Sequence, residues 1–546
     1  MTAPLVAFYG SAPGSTLGEC ARPNAGVKGA RLNGSVSNPN PDPRLCSALR
    51  TDLREAGYTA DAVRAAWGPI ADDAVGHGLT GPAIAALGMR ADRLAVVSRL
   101  LFLGVATPVD DVDAALPACR AEGLAALRLA TVEEGEVVPL ALVRPQGVDD
   151  EAGEGGWWIA SDLDEAALVS QQHRSALPTD HVLGVGGASL TLAGLQLPRA
   201  ADRVLDLGTG CGIQALRARH HARTVVATDV SARALAFTRL NALLNDVDGI
   251  ETRHGIMFEP VEGELFDRVV SNPPFVITPR VEGVPEYEYR DAGFAGDDLI
   301  AGFVSGVGAV LAPGGIAQLL GNWEYRGDTD GLDRVRAWVD ASPVPLEAWI
   351  IERERLDPLA YAELWVRDGG TTAGTSAYGQ LVQAWLDDFA ARDVTAVGFG
   401  YLLLRRPAAG EPLLRRFERV PQPVSGALGP HLDAALTAAD RMAALDDAAL
   451  AVSVLLVAGD VTEARHHLPG AENPSVIELR QGGGLSRSIE VDPALAALVG
   501  ACDGDLAVGV LIDAIAELLE VDAGKLAADL LPRVRELLFT GVLAFD

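Results

Sequence analysis

The segment Val204-Leu-Asp-Leu-Gly-Thr-Gly-Cys-Gly212 constrains the fold of this chain more than any other. It predicts a buried strand, then three glycines at alternate positions, then a helix over 212–220. Glycine lets a backbone turn tightly and approach a ligand that a Cβ would exclude. The helix presents free N–H groups at the same point. Because the spacing is not GxGxxG, the pattern favours a ligand site of an α/β fold over a dinucleotide site.

Two carboxylates accompany this turn. Asp206 lies at its mouth, where it suits a cationic ligand better than a pyrophosphate. The second predicted strand ends in Asp229, about twenty residues beyond the first glycine, and an acid there can accept both hydroxyls of a ribose. Turn, acid and intervening helix together indicate a nucleoside-containing ligand.

The middle of the chain alternates short apolar runs with helical patterns, which predicts a parallel sheet covered by helices. The predicted strands are 204–207, 224–228, 249–254, 267–271, 316–322, 346–351 and 398–405, and the predicted helices are 212–220, 232–245 and 298–311. Residues 352–394 separate the last two strands and are long enough to form a lid or a substrate-facing insertion.

Strand four is followed by Asn272-Pro-Pro-Phe275. Pro273 and Pro274 fix φ and lack N–H donors, so they stiffen the chain just beyond the strand. The Asn272 carboxamide offers both an acceptor and donors, which suits it to hold a planar N–H group. Phe275 supplies a flat apolar face for stacking. Ligands of open α/β sheets bind at the carboxyl ends of the strands. The sequence therefore predicts that the reaction takes place at the carboxyl end of strand four.

Asp206-Leu-Gly-Thr-Gly-Cys-Gly212 together with Asp229 resembles the class I S-adenosylmethionine-dependent methyltransferases. The resemblance covers roughly residues 180–405 and implies a Rossmann-like α/β domain with a seven-stranded sheet whose last strand is antiparallel. It implies that Asp206, Gly208 and Gly210 bind the amino-acid part of the cofactor and that Asp229 holds the ribose. The remaining cofactor-binding residues that it implies are Thr209, Gly212, Val230, Met257, Phe258 and Asn272.

Asn272-Pro-Pro-Phe275 resembles the (Asp/Asn)-Pro-Pro-(Tyr/Phe) motif of methyltransferases that modify nitrogen on an sp2 carbon. The resemblance makes these four residues catalytic: the Asn272 side chain and the Pro273 carbonyl hold the acceptor nitrogen, and Phe275 stacks on the acceptor. Positioning and desolvation then supply most of the catalysis.

The flanking segments 276–279 and 289–299 resemble release factor glutamine-N5 methyltransferases, and the acceptor pocket would include Tyr287, Tyr289 and Arg290. Residues 181–191 occupy the place where those enzymes cover the methionine end of the cofactor. They depart there from the Pro-Arg-x-x-Thr-Glu pattern of those enzymes. Ile256 replaces an acid that many relatives carry near the adenine.

The charge of the chain orders the candidate acceptors. With 44 Lys+Arg against 74 Asp+Glu, the formal charge is −30, which argues against coating nucleic acid. The resemblance of the segments 276–279 and 289–299 makes a protein glutamine amide the preferred acceptor, and the negative charge also fits an acceptor other than a polyanion. The alternatives are a base of rRNA or tRNA (guanine N2 or adenine N6), a small-molecule amine, and, outside enzymes, a regulator that senses the cofactor. Winged helices often touch nucleic acid, which keeps the RNA alternative open.

The rest of the sequence predicts a cytoplasmic protein with no metal site and no membrane span. The five cysteines have no paired spacing, which fits a reducing compartment. The N-terminal residues show no basic region followed by an apolar run, so no secretory signal is predicted. No stretch of about 18 uninterrupted apolar residues occurs, so no membrane span is predicted. Nothing in the sequence indicates an oligomeric state.

Four segments are predicted along the chain. A disordered leader spans 1–43, and an N-terminal α+β domain that resembles a winged helix spans 44–178. The methyltransferase domain spans 179–408 with its insertion at 352–394, and a second winged-helix-like domain spans 409–546.

Overall fold

An eight-stranded sheet organises the computed structural model, which describes residues 37–147, 156–170, 180–281, 284, 293–424 and 426–546. Its strands are β6 (Ala201–Leu207), β7 (Ala222–Asp229), β8 (Ile250–His254), β9 (Phe266–Ser271), β10 (Leu311–Arg326), β11 (Glu347–Leu356), β12 (Val394–Arg405) and β13 (Arg415–Arg419). Their spatial order is β8-β7-β6-β9-β10-β12-β11-β13. The first five labels, β1 to β5, belong to the N-terminal unit described below.

Seven of these strands have the arrangement that the resemblance implies. All neighbouring pairs are parallel except those of β12, which runs antiparallel to β10 and β11. Apolar side chains on both faces explain why β6, β7, β9 and β10 are buried over most of their length. The eighth strand, β13, was not predicted, and it pairs in parallel with β11. The sheet therefore extends beyond residue 408, because Phe417 is the only apolar residue in the Arg-rich run 415–419 and gives no clear strand pattern.

Helices cover both faces of the sheet. They are α9 (Gly187–Leu195), α10 (Ile213–Ala218), α11 (Ala232–Leu244), α12 (Asp298–Val310), α13 (Gly331–Asp340), α14 (Pro358–Asp368), α15 (Ser376–Ala391) and α16 (Gly429–Ala443). The predicted insertion 352–394 contains the helix pair α14 and α15 between β11 and β12. Tyr361, Trp365 and Trp385 of this pair are buried in the main core, so the pair is part of the packed domain.

The N-terminal unit has mostly short helices and two small sheets. Its helices are α1 (Pro43–Glu55), α2 (Ala60–Trp67), α3 (Pro69–Gly76), α4 (Gly81–Leu87), α5 (Arg93–Val97), α6 (Val109–Ala115), α7 (Arg120–Ala126) and α8 (Glu165–Ser170), with a π-helical turn at Ser98–Phe102 after α5. Its strands are β1 (Thr107–Pro108), β2 (Ala130–Glu133), β3 (Glu136–Pro139), β4 (Ala141–Gln146) and β5 (Trp157–Asp162). The first three form one sheet, and β4 and β5 form an antiparallel hairpin.

Residues 37–43, the last part of the predicted disordered leader 1–43, belong to the folded chain. The side chain of Asp42 accepts hydrogen bonds from the N–H groups of Arg44 and Leu45, and Pro43 occupies the first helical turn. Asn40 also donates to the carbonyl of Leu127. Residues 1–36 of the predicted leader lie outside the described residues.

The C-terminal unit has a separate core around Leu498, Val508 and Leu530. Its helices are α17 (Asp447–Ala451), α18 (Pro493–Ala501), α19 (Val508–Leu518) and α20 (Ala523–Phe539). Its strands are β14 (Val454–Val457), β15 (Val461–His466), β16 (Val476–Gln481), β17 (Ser488–Val491), β18 (Asp503–Ala507) and β19 (Leu543–Phe545). They form two three-stranded sheets.

Ion pairs join this unit to the edge of the central sheet. Glu418 of β13 accepts from Arg416 and Arg487, and Arg416 also binds Glu536. Although burial opposes ionisation, the two arginines lower the pKa of Glu418 to about 2. The carboxylate therefore stays charged throughout the physiological range, and the contact with the C-terminal unit is retained there.

Candidate functional site

A cavity of about 700 Å³ opens at the carboxyl ends of β6, β7 and β9. This is the edge at which open α/β sheets bind ligands, and the volume lies within the usual range for small-molecule sites. The sequence-predicted residues that line it are Gly208, Thr209, Gly210, Asp229, Val230, Met257, Asn272, Pro273 and Pro274. The structure thus brings both predicted sites, the glycine turn and the Asn-Pro-Pro segment, to one cavity.

Two side chains of helix α11 hold the glycine turn by hydrogen bonds. Gly212 has φ +88°, and a Cβ there would lie 3.0 Å from the side chain of Thr238, so only glycine fits the turn. The Thr238 hydroxyl donates to the carbonyl of Gly210 at 3.0 Å. Asn241, one helical turn further along α11, donates to the carbonyl of Cys211 at 2.8 Å. Helix α11 therefore fixes the path of the turn.

Asp229 links the turn to the end of β7. Its Oδ2 accepts from the Gly210 N–H at 3.0 Å, and its Oδ1 accepts from the Ser231 N–H at 2.8 Å. Each carboxylate oxygen keeps a second lone pair, and the residue lines the cavity. Burial raises the pKa of Asp229 even though these N–H groups favour the anion. A ligand with hydroxyl donors would satisfy this carboxylate.

Asp206 lies beneath the turn instead of at the cavity surface. It is fully buried, and its Oδ2 accepts from the Thr209 hydroxyl at 2.7 Å. Its Oδ1 has no hydrogen-bond partner among the described residues. Burial raises the pKa of Asp206 to about 7. Such a carboxyl is stabilised as the anion by a nearby cation, and the predicted cofactor carries one.

Asn272 lines the cavity, and its amide oxygen has no hydrogen-bond partner among the described residues. Its Nδ2 donates to the Ser189 hydroxyl at 3.4 Å, while its Oδ1 is buried and has no partner among the described residues. Pro273 and Pro274 line the same wall. A buried amide oxygen without a partner costs free energy, so a donor brought to this oxygen would stabilise the site.

Several predicted residues do not line the cavity. Gly212 and Asp206 support the turn without lining the cavity: Gly212 packs against Thr238, and Asp206 accepts from Thr209. Phe258 packs against Phe303, with ring centroids 5.5 Å apart. Phe275 is 8% exposed and belongs to the main core, so stacking on an acceptor would require its ring to turn. Tyr287, Tyr289 and Arg290 lie outside the described residues.

The cavity also contains residues that the motifs did not indicate. Gly293 and Phe294, just before α12, and Leu299 in its first turn line the cavity more than 80 residues after the glycine turn. They belong to the segment 289–299 that resembles release factor methyltransferases, but the sequence did not assign them to the cofactor cavity, because their proximity to the glycine turn comes from the sheet order. The segment predicted to cover the cofactor does form a wall, in which His181, Val182, Gly184 and Ser189 take part. Ile213 and Gln214 also line the cavity, and the start of the helix after the turn could have suggested them.

The helix pair of the insertion anchors the chain just beyond the Asn-Pro-Pro-Phe segment. The Ile277 N–H donates to the Tyr361 hydroxyl of α14 at 2.9 Å, and the Trp385 indole of α15 donates to the Ile277 carbonyl at 2.9 Å. Asn322 of β10 donates to the same hydroxyl at 3.2 Å. Since all four residues are almost fully buried, the insertion holds this segment in place.

Comparisons with known proteins agree with this geometry. The family model for the methyltransferase small domain matches residues 186–283, and two domains of unknown function, DUF7059 and DUF7782, match 55–140 and 436–545. A release factor glutamine methyltransferase of Deinococcus radiodurans is 34% identical over 195 residues, which cover 30% of this chain and 69% of the relative. A ribosomal protein uL3 glutamine methyltransferase of Bradyrhizobium diazoefficiens is 28% identical over 206 residues.

The second alignment covers 36% of this chain and 63% of the relative, so the chain spans less than two thirds of that protein. Among solved structures, a Haemonchus contortus phosphoethanolamine N-methyltransferase in complex with S-adenosylhomocysteine is similar at 15% identity and a TM-score of 0.26. That similarity covers 40% of this chain and 52% of the solved one.

The chain belongs to the class I S-adenosylmethionine-dependent methyltransferases, in the family that includes release factor glutamine methyltransferase. It is a methyltransferase whose cofactor is S-adenosylmethionine. The residues present fit this cofactor: Asp229 lines the cavity with lone pairs that ribose hydroxyls could use, the glycine turn leaves room for the backbone to approach a ligand, and Asp206 places a carboxyl beneath it. Among the described residues, no group of three or more His, Cys, Asp or Glu side chains could hold a metal ion.

We expect the affinity for S-adenosylmethionine to rise about fivefold between pH 6 and pH 7. Asp206 has a pKa of about 7 in the free protein, so its ionised fraction grows over this interval, and a cationic ligand favours the anion. Burial lowers the pKa of His181, the histidine in the cavity wall, below its ordinary value. Calorimetry at the two pH values measures the change. In Asp206→Asn the dependence on pH should be lost, and an unchanged dependence would assign it to another group.

We expect Tyr361→Phe to reduce labelled-methyl transfer into a cell lysate about five- to tenfold and to leave cofactor affinity within twofold. The variant keeps the ring but leaves the buried Ile277 N–H without its acceptor, which costs about 1–3 kcal/mol and loosens the segment next to the motif. Tyr325→Phe is the matched control, because Tyr325 is another buried tyrosine, whose hydroxyl donates to Glu352 away from the motif. Equal transfer by both variants would contradict the anchoring role.

Proposed function

We propose that this methyltransferase modifies the side-chain amide of a glutamine in a protein. The observation that carries the proposal is the Asn272 amide. Its Oδ1 has no hydrogen-bond partner among the described residues, and Asn272 lines the cavity together with Pro273 and Pro274. An amide N–H₂ is planar and supplies two donors, which matches two neighbouring acceptors. The relatives named as glutamine methyltransferases support the same acceptor.

In this proposal the residues of the chain act by holding the acceptor. S-adenosylmethionine supplies an activated methyl group when bound. Asn272 Oδ1 and the Pro273 carbonyl accept the two N–H groups of the glutamine amide and orient its nitrogen. Transfer of the methyl group to nitrogen releases one N–H proton, and the held geometry supplies most of the rate gain. The anchoring of Ile277 by Tyr361 and Trp385 keeps these acceptors in place.

The charge of the chain supports the proposed acceptor class, and its cysteines support the proposed compartment. A chain with a formal charge of −30 favours acceptors other than polyanions, so RNA is the second choice. The described cysteines, Cys46, Cys119, Cys211 and Cys502, are free and buried, which fits the reducing cytoplasm that we propose as its compartment. Among the described residues, no helix has the length and apolar character needed to cross a bilayer.

Transfer of labelled methyl into a lysate tests the acceptor. We expect the label in the protein fraction, and we expect acid hydrolysis to release it as methylamine, because hydrolysis of an N-methylated amide leaves the methyl on nitrogen. Label confined to RNA would make the enzyme a base methyltransferase. Label in small molecules, or in protein as acid-stable methylated lysine, would also contradict the proposal. The same lysate without enzyme is the control.

A further inference from the structure

The edge of strand β5 that is not paired with β4 is bound by side chains of the catalytic domain. The Trp158 N–H donates to Asn245 Oδ1 at 2.9 Å, and Asn245 Nδ2 donates back to the Trp158 carbonyl at 2.8 Å. Two residues further along, the Ala160 N–H donates to Asn241 Oδ1 at 2.8 Å, and Asn241 Nδ2 donates to the Ala160 carbonyl at 2.9 Å. Two asparagine amides therefore take the place of a neighbouring strand.

The geometry of helix and strand explains this match. Residues four apart on a helix are about 6 Å apart along its axis, and residues two apart on a strand are about 6.7 Å apart. Asn241 and Asn245 of α11 therefore meet alternate residues of β5. A third contact continues the series, since the Asp162 N–H donates to the Val182 carbonyl at 3.1 Å. Val182 itself lines the cavity.

The same side chains reach the cofactor site. Asn241 Nδ2 donates to both the Ala160 carbonyl and the carbonyl of Cys211 in the glycine turn. Asp162 accepts from the Val182 N–H at 2.8 Å and from Arg233 Nε at 2.9 Å, and Arg233 lies in the first turn of α11. Asn241, Asp162 and Arg233 are all buried. The N-terminal unit is thus linked to the glycine turn through Asn241. It is linked to one cavity wall and to the start of α11 through Asp162.

We propose that β5 of the N-terminal unit is a part of the cofactor site, with Asn241 as the positioning residue that couples docking of this unit to S-adenosylmethionine affinity. Whatever moves β5 changes the hold of Asn241 on the Cys211 carbonyl, and cofactor binding at the turn in turn tightens β5. Such coupling is reciprocal. The inference rests on the cofactor and is independent of the acceptor.

Hydrogen exchange of the full-length protein tests the reciprocal effect without any substitution. Saturating S-adenosylmethionine should slow amide exchange at least fivefold in the peptide that contains Trp158 and Ala160, because their N–H groups donate to α11. The hairpin of β2 and β3 in the same unit is the internal control and should exchange equally fast with and without cofactor. Unchanged exchange in the β5 peptide would overturn the proposal.

Variants test the forward effect by calorimetry. Asn245→Ala removes contacts to β5 and to its own helix but none to the glycine turn, and we expect cofactor affinity to fall about fivefold. Asn40→Ala is the matched control, since Asn40 also donates to a carbonyl of the N-terminal unit, that of Ala126, away from α11. Unchanged affinity in folded Asn245→Ala, or an equal loss in the control, would show that the contact only stabilises the fold.

Discussion

Asp229→Ala should weaken S-adenosylmethionine binding at least about 100-fold, which corresponds to about 2.7 kcal/mol. The substitution removes the acceptor proposed for the ribose. It also leaves the N–H groups of Gly210 and Ser231 without their carboxylate, and each unsatisfied buried donor costs about 1–3 kcal/mol. The glycine turn would then lose its link to the end of β7. Isothermal titration calorimetry measures the affinity directly.

Two further variants make this result specific. Asp229→Asn keeps an oxygen acceptor for one N–H group and should weaken binding less than the alanine variant. Asp248→Ala removes an acid whose side chain is 95% exposed on the same domain, and it should bind the cofactor as the unaltered protein does. If Asp229→Ala bound with unchanged affinity, the cofactor would not occupy this cavity in the proposed way.

Asn272→Ala should retain cofactor affinity within about threefold and lose methyl transfer by a factor of about 100 or more. Asn272 Oδ1 has no hydrogen-bond partner among the described residues, and its Nδ2 makes one long contact to Ser189, so little of the fold depends on this amide. An acceptor that is no longer held in line loses the rate gain from orientation, which reaches several kcal/mol in well-positioned sites. Binding is followed by calorimetry and transfer by label incorporation.

The chain offers a close control for this variant. Asn473 also precedes a proline, Pro474, but is exposed in the C-terminal unit. Asn473→Ala should therefore keep both binding and transfer. Full transfer by Asn272→Ala would contradict the proposed hold on the acceptor nitrogen but would leave the cofactor assignment intact, so the Asp229 and Asn272 predictions can fail independently.

The two motifs were predictable because their chemistry is local. The strand, the glycines and the following helix are adjacent in sequence, and Asp229 ends the next strand of a regular alternation. Parallel strands bring their carboxyl ends to one edge, so the sequence also implied that the glycine turn and Asn272 share a site. All seven predicted strands occur, most of them with ends that differ by a few residues.

Other features depend on contacts between distant segments, which no local pattern encodes. Strand β13 forms because the free edge of β11 accepts an Arg-rich segment whose arginines pair with Glu536, Asp330 and Asp340. Phe275 is buried because the core around it closes from several elements. The insertion holds Ile277 in place because Tyr361 and Trp385, which follow it by more than 80 residues in the chain, form hydrogen bonds with its backbone.

The sequence by itself determined the class of protein and its cofactor, and it supplied the motif that we propose holds the acceptor, since these rest on residues adjacent in the chain. Only the tertiary structure decided how the site is supported. The asparagines of α11 looked like ordinary helix residues, yet they bind the edge of β5 and the glycine turn together. Hydrogen bonds of this kind require a side chain of one segment to come within about 3 Å of the backbone of a distant segment. Folding of the whole chain sets that distance.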